Sequence, residues 1–123
     1  MRFSNRQRLR RTAEFEAVRS GGFRINCGTF LFSILIRESG GGPEIRRLGV
    51  IASKRIGGAV ERNAAKRRLR EVFRLNQERL PSGCDLVLIA RRTLLEESFA
   101  ATEERFRKAC RRLERRERKA DAG

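Results

Sequence analysis

The sequence predicts one α+β domain, and three observations predict it. Residues 29–38, TFLFSILIRE, alternate in side-chain direction and are rich in aromatic and β-branched residues, the pattern of a half-buried strand. Residues 85–91, DLVLIAR, form a short continuous apolar run, the pattern of a strand buried on both faces. Two longer stretches carry apolar residues at helical spacing. A chain of 123 residues has room for one modest core and not for two domains with a cleft between them. The expected organisation is a domain over residues 1–113 with a basic arm at 1–11, followed by a charged tail at 114–123.

Taken in order, residues 2–11 are basic and lack apolar periodicity, so they read as an extended arm. Thr12 is placed as the N-cap of a short helix over residues 13–19, which Gly21 and Gly22 end. In the strand at 29–38, Phe30, Phe32, Ile34 and Ile36 share one face, while Leu31, Ser33 and Leu35 share the other. Gly40-Gly41-Gly42-Pro43 suits a wide hairpin turn, with a second strand at about 46–54. A long helix follows from about 59 to 80, closed by Pro81-Ser82-Gly83, and Ala65, Leu69, Val72, Phe73 and Leu80 fall on its core stripe. The strand at 85–91 runs parallel to its predecessor if that helix is a crossover. The last helix is capped by Ser98, with Thr93 and Glu96 as a rival capping box. Phe99, Phe106 and Leu113 form its stripe, with Thr102, Ala109 and Cys110 in the seam. Its apolar stripe stops at Glu114, so 114–123 reads as a fraying tail.

Charge narrows the function. Thirty Lys+Arg against fifteen Asp+Glu give +15, far beyond what solubility needs, and a polyanionic partner is the economical explanation. Only four of the thirty are lysine, and arginine is the side chain whose planar fork suits phosphate and whose face stacks on bases. With no histidine, the chain cannot build a Ser-His or Cys-His dyad or a histidine general base. Cys27, Cys84 and Cys110 are odd in number and widely spaced, which fits neither a disulfide framework nor a four-cysteine zinc site and suggests a reducing cytoplasm. They read as buried small apolar residues. No apolar run approaches the roughly 20 residues that a membrane-spanning helix needs. No residue can be nominated as catalytic.

The most informative stretch is RNAAKRRLR, residues 62–70. Arg62, Lys66 and Arg70 stack on one helical line, and Asn63, Arg67 and Arg74 on the next. Like charges so placed repel by a few tenths of a kcal/mol per pair, about the size of the gain from an opposite pair. Only Glu71 and Glu78 are near enough to offset them, so a partner outside the protein is expected to neutralise that face. Upstream, Ser53-Lys54-Arg55-Ile56-Gly57-Gly58 joins a strand end to a helix N-terminus, where amides and glycines could cradle a phosphate or merely turn the chain. It lacks the Gly-Lys-Ser/Thr of a P-loop. Phe15 could stack on a base or pack in the core.

Lys54-Arg55-Ile56-Gly57, Ala59-Val60, Arg62-Asn63 and Lys66-Arg67-x-x-Arg70-Glu71 with Phe73-Arg74, set downstream of Phe15, resemble the signature of the bacterial ribonuclease P protein subunit. The likeness covers about residues 6–113. It implies a two-layer α/β sandwich in the order α-β-β-β-α-β-α, similar to domain 2 of ribosomal protein S5. The four-stranded sheet would gain an extra strand near 23–26 and contain a left-handed β-α-β crossover. It also implies that the catalytic RNA is bound by Lys54, Arg55, Arg62, Asn63, Lys66, Arg67, Arg70 and Arg74. The single-stranded 5′ leader of precursor tRNA would be bound by Phe15, Arg19 and Ser33. Hydrolysis would belong to the RNA subunit, with Mg2+ held mainly by that RNA and the substrate. No obligate protein partner and no membrane are implied.

Two positions depart from the family pattern. Ala64 stands where a second arginine is usual, a contact that Arg68 could supply, and Arg19 stands where many relatives carry a second aromatic residue. A ribosomal-type structural RNA-binding protein with no role in catalysis is the alternative reading. A DNA-binding module fits less well, because the signature helix is long and its arc is of phosphate type.

Overall fold

The computed structural model describes residues 4–37 and 45–122, with the side chains of 120–122 left out. Four strands and three helices run in the order α1 (Thr12–Gly21), β1 (Phe23–Asn26), β2 (Phe30–Ile36), β3 (Arg47–Ile51), α2 (Ala59–Asn76), β4 (Cys84–Ala90) and α3 (Phe99–Ala122). The sheet order is β1-β2-β4-β3, with β3 parallel to β4 and the other pairings antiparallel. The short strand over residues 23–26 is present as the resemblance implied.

Period two along β2 decides the layering. Phe30, Phe32 and Ile34 face the helices α2 and α3 and join Leu86, Leu88, Leu69, Phe73, Phe106 and Leu113 in the main core. Phe32 and Phe106 meet edge to face at 5.6 Å between ring centroids. Leu35, Val87 and Ile89 point to the opposite face and pack with Val18 of α1. α1 therefore lies on the sheet face away from α2 and α3, a third partial layer on the two-layer sandwich. On the core stripe of α2, Ala65, Leu69, Val72 and Phe73 are fully buried, and Leu80 just beyond the helix is 2 % exposed.

Several expectations are corrected. β2 and β3 do not form a hairpin pair, because β4 lies between them; β4 is apolar on both faces and takes an interior position that buries both. The glycine-rich turn expected at 40–43 lies outside the described residues. Thr12 is the first helical residue, and Arg11 holds the capping position. There the Glu14 carboxylate turns back and accepts from the amides of Arg11 at 3.0 Å and Arg10 at 3.1 Å, so the cap comes from inside the helix. α2 ends at Asn76 and continues as a 3-10 turn, Gln77–Arg79. Ser98 does cap α3, its hydroxyl accepting from the amide of Ala101 at 3.1 Å; Thr93 makes no side-chain cap bond.

Both charged ends are more ordered than composition suggests. In the arm, Leu9 is 6 % exposed and its amide donates to the Leu48 carbonyl at 2.9 Å. The Gln7 amide donates to the carbonyl of Arg46 at 3.0 Å and to the side-chain oxygen of Gln77 at 2.7 Å. The arm thus covers the open edge of β3, which would otherwise offer unpaired backbone groups. At the other end α3 runs through 114–122 instead of fraying. Arg116 stacks on the ring of Phe23 at 4.2 Å, and Arg112 lies 6.0 Å from the same ring.

Candidate nucleic-acid interface

The first surface is built on α2. Ahead of it, Lys54–Ile56 forms a 3-10 turn whose Ser53 hydroxyl accepts from the Arg55 amide at 3.3 Å. Gly57 sits at φ 146°, a conformation open to glycine, and sends the chain into the helix. Arg62, Lys66 and Arg70 are half-buried along the flank of the core stripe, while Asn63, Arg67, Lys54 and Arg55 are exposed. Lys54, Arg55, Arg62, Lys66 and Arg67 have no carboxylate partner among the described residues. The docked arm adds Arg8. Burial holds the Arg70 guanidinium below its ordinary pKa, and the charge of Arg8 adds to the effect, so these two cations crowd a common space that an anion would relieve.

Two arginines of α2 are already engaged. Arg74 is paired with Glu71, Nη2 to Oε1 at 2.6 Å and Nε to Oε2 at 3.0 Å, and this bond leads the causes that hold the Glu71 carboxyl below its usual range. Arg68 donates to the carbonyls of Leu94 at 3.0 Å and Glu97 at 2.6 Å. It clamps the turn before α3 and does not replace the side chain missing at Ala64. The sequence reading overlooked Arg91 and Arg92. With Ser53, Arg55, Ile56 and Ile89 they line a cavity of about 600 Å³, and a basic doublet directly after a strand that ends beside the signature loop was the available signal.

The second surface is the sheet face beneath α1, and only part of it is covered. Val18 and Val87 are buried, whereas Phe15, Leu35, Ile51 and Ile89 remain half-buried and Leu31 is likewise partly open. Phe15 lies directly over Gly49: a Cβ at position 49 would come within 2.4 Å of its ring. Glycine is therefore required for the ring to reach the strand. Arg19 is exposed, 3.8 Å from Glu16. Ser33 shares this sheet face but is 1 % exposed, and its hydroxyl finds no hydrogen-bond partner among the described residues. It belongs to the floor beneath the groove and is not presented to solvent.

α1 is held over the groove by charge as well as packing. Asp85 is 5 % exposed and takes Arg47 in a two-point pair, both contacts 2.8 Å, with Arg37 on the same carboxylate. Arg47 also reaches Glu14 of α1 at 2.8 Å. A charged residue opening an otherwise apolar strand was the sequence signal for this network, and it passed unread. Glu14 is held below its ordinary pKa by the amides of Arg11 and Arg10, with Arg47 adding to them.

Among the described residues no three His, Cys, Asp or Glu side chains are grouped to hold a metal ion. The cysteine thiols are pushed up to about 12, chiefly by burial. Cys84 and Cys110 are buried as expected, while Cys27 is half-buried. Among the described residues no helix is long and apolar enough to cross a membrane. The basic flank of α2 and the half-covered sheet groove are the two surfaces at which the expected site residues gather.

The family model described as Ribonuclease P matches residues 3–114. The chain belongs to the ribonuclease P protein family. The ribonuclease P protein component of Thermotoga maritima is 33% identical over 116 residues, spanning 91% of this chain and 96% of that one. That of Desulfatibacillum aliphaticivorans is 36% identical over 95 residues, 77% of each. Among solved structures, the ribonuclease P protein from Thermotoga maritima superposes with a TM-score of 0.72 at 29% identity, covering 85% of this chain and 96% of that one. A Staphylococcus aureus ribonuclease P protein mutant reaches 0.76 at 22% identity over 89% of each, a likeness of fold. Membership implies an RNA partner for the chain. The ordered set from Lys54 to Arg74 lies within the matched residues, and the ribosomal-type alternative loses its ground.

Proposed function

We propose that this chain binds the catalytic RNA of ribonuclease P through the flank of α2 and the single-stranded 5′ leader of precursor tRNA through the groove beneath α1. The observation that carries the reading is the presence, on one small domain, of two surfaces with different chemistry. The α2 flank offers guanidinium and ammonium groups without carboxylate partners and no aromatic ring, which suits phosphates of a folded RNA. The groove offers a half-buried Phe15, apolar neighbours and Arg19, which suits unstacked bases of a single strand. Arg91 and Arg92, beside both surfaces, would meet phosphates where the two RNAs converge.

Leader removal is then chemistry of the RNA subunit with Mg2+, and the protein contributes charge and position. Asp85, Glu14, Glu71 and Glu97 are already taken up by arginines or backbone amides and are poor candidates to hold magnesium. The metal ions would rest on phosphates of the catalytic RNA and the substrate. By neutralising repulsion between two RNAs and gripping the leader, the protein would raise substrate affinity and favour those metal ions. Its compartment would be the cytoplasm. Of the eight residues assigned to the catalytic RNA, Arg74 would contribute least, being shared with Glu71.

The test is cleavage of a precursor tRNA at low magnesium by a bacterial ribonuclease P RNA with and without the protein. Leader release that requires both components supports the reading. Arg62→Ala with Lys66→Ala should weaken holoenzyme assembly and flatten its salt dependence by about one logarithmic unit per residue. Folding stability should stay within about 0.5 kcal/mol of the parent. Unchanged cleavage and unchanged affinity for the catalytic RNA would overturn it.

A further inference from the structure

The proposal above leaves one strongly charged surface unused. From Lys108 to Lys119 α3 carries seven basic residues against Glu114 and Glu117. Lys108, Arg112 and Arg116 are four apart on one helical line, and Arg111, Arg115 and Lys119 on the next. This is the same repelling arrangement that marks α2. Arg111 has Glu104 at 2.8 Å and Arg116 has Glu117 at 3.7 Å. Lys108, Arg115, Arg118 and Lys119 are exposed with no carboxylate partner among the described residues.

The helix nevertheless persists beyond its last core residue, Leu113, because Arg112 and Arg116 lie over Phe23 of β1. That anchor fixes where the stripe points. α2 and α3 run side by side in the same direction: Arg68 reaches the turn before α3, and Asn76 meets Glu103 and Arg107 further along. The stripe thus lies past the end of α2. It borders β1, one edge strand of the sheet, whereas Arg70 and Arg8 border β3, the other edge. One short RNA segment on the α2 flank would not also cover it.

We infer that the C-terminal half of α3 is a second contact for the phosphate backbone of double-helical RNA, separate from the signature helix. Two features favour this partner. Exposed cations extend along about 17 Å of helix, at 1.5 Å per residue, with Glu114 the one exposed carboxylate between Lys108 and Lys119, and so follow a phosphate backbone instead of clasping a single anion. No aromatic ring is free to stack on a base: Phe106 is buried and Phe23 is covered by the two arginines. A single strand would gain little there, whereas a duplex presents its charge without requiring stacking. The inference rests on the chain being an RNA-binding ribonuclease P protein, and within that reading it adds a second point of attachment to structured RNA.

The test replaces Arg115, Arg118 and Lys119 together by Gln in the full chain, leaving Arg112 and Arg116 on Phe23. Binding is measured across a salt series to a mixed-sequence RNA duplex, a single-stranded oligonucleotide of equal length and a bacterial ribonuclease P RNA. The Arg62→Ala, Lys66→Ala protein serves as comparator. With an unchanged melting curve, the triple variant should bind the duplex at least about tenfold more weakly at 0.15 M salt, with a salt slope smaller by about 2–3 units. Single-strand affinity should hold. Duplex affinity and slope equal to the parent's would overturn the proposal and leave the stripe to an acidic protein or to solvent. A silent comparator on the ribonuclease P RNA would count instead against the α2 assignment. If the triple variant melts early, the single change Arg115→Gln should lower the slope by about one unit, and no change would again overturn the proposal.

Discussion

The two faces of the sheet are built from the same four strands yet serve opposite ends. On the face toward α2 and α3, rings and aliphatic side chains interlock with almost no exposure: Phe30, Phe32, Phe73 and Phe106 are all fully buried. Among the described apolar side chains on the face toward α1, Leu9, Val18 and Val87 are buried, while Phe15, Leu35, Ile51 and Ile89 stay half-open. The closed face is where stability is generated, because buried apolar area drives folding. The open face keeps apolar surface available to a ligand and holds its covering helix through the chain Glu14–Arg47–Asp85. A groove proposed to admit a strand cannot also be sealed by packing, and hydrogen-bonded charge fixes a helix at one end while leaving its flank open.

The largest effect that would sharpen this contrast is Phe106→Ala. The ring is fully buried and packed on Phe32, so its loss should cost about 3–5 kcal/mol, read as a lower denaturant midpoint at unchanged slope. A loss below about 1 kcal/mol would mean the closed face is not the principal source of stability. Next comes Phe15→Ala on the open face. If the ring stacks on a base, binding of leader-bearing precursor tRNA should weaken by about 1–3 kcal/mol, with mature tRNA little affected. Equal losses for both substrates would return Phe15 to a packing role over Gly49 and remove the functional half of the contrast.

How much of this was legible in the sequence follows the same divide. Elements of the closed face declare themselves through period: the alternation of β2, the continuous apolar run of β4 and the α2 stripe all fall where expected. β1 was too short to stand out, and its four residues, FRIN, mix charge with apolar groups because it lies at a sheet edge. The strand order was hidden because a β2–β3 hairpin and an interposed β4 share one local pattern. On the site side, the arc of α2 was readable from spacing alone, whereas the engagement of Arg68 and Arg74 depends on where Leu94, Glu97 and Glu71 come to rest. Arg8 was unreadable as part of the interface, since only the pairing of the arm with Leu48 brings it beside Arg70. The groove was reached only through the family resemblance, by way of Phe15, Arg19 and Ser33; periodicity could not show it, because it consists of residues from α1, β2, β3 and β4 that meet only in the fold.

The smallest effect is a pH dependence confined to α1, and it tests whether charge holds that helix. Glu14 lies below its ordinary pKa of 4.5, first through the amide of Arg11, then that of Arg10, with Arg47 adding. A depressed folded-state value contributes stability that is present above the unfolded value and is lost as the pH falls through the folded one. Docking of α1 should thus be constant from neutrality down to the ordinary glutamate range and loosen only at pH values below it. Amide hydrogen exchange resolved by residue reads this directly: α1 amides should lose protection in acid before those of β4, which sit in the closed interior. In Glu14→Gln the carboxylate is gone, so α1 protection should be lower already at neutral pH and should no longer step down in acid. Identical profiles for the parent and Glu14→Gln would show that packing by Val18 alone holds the helix. The open face would then differ from the closed one only in how much apolar surface it buries.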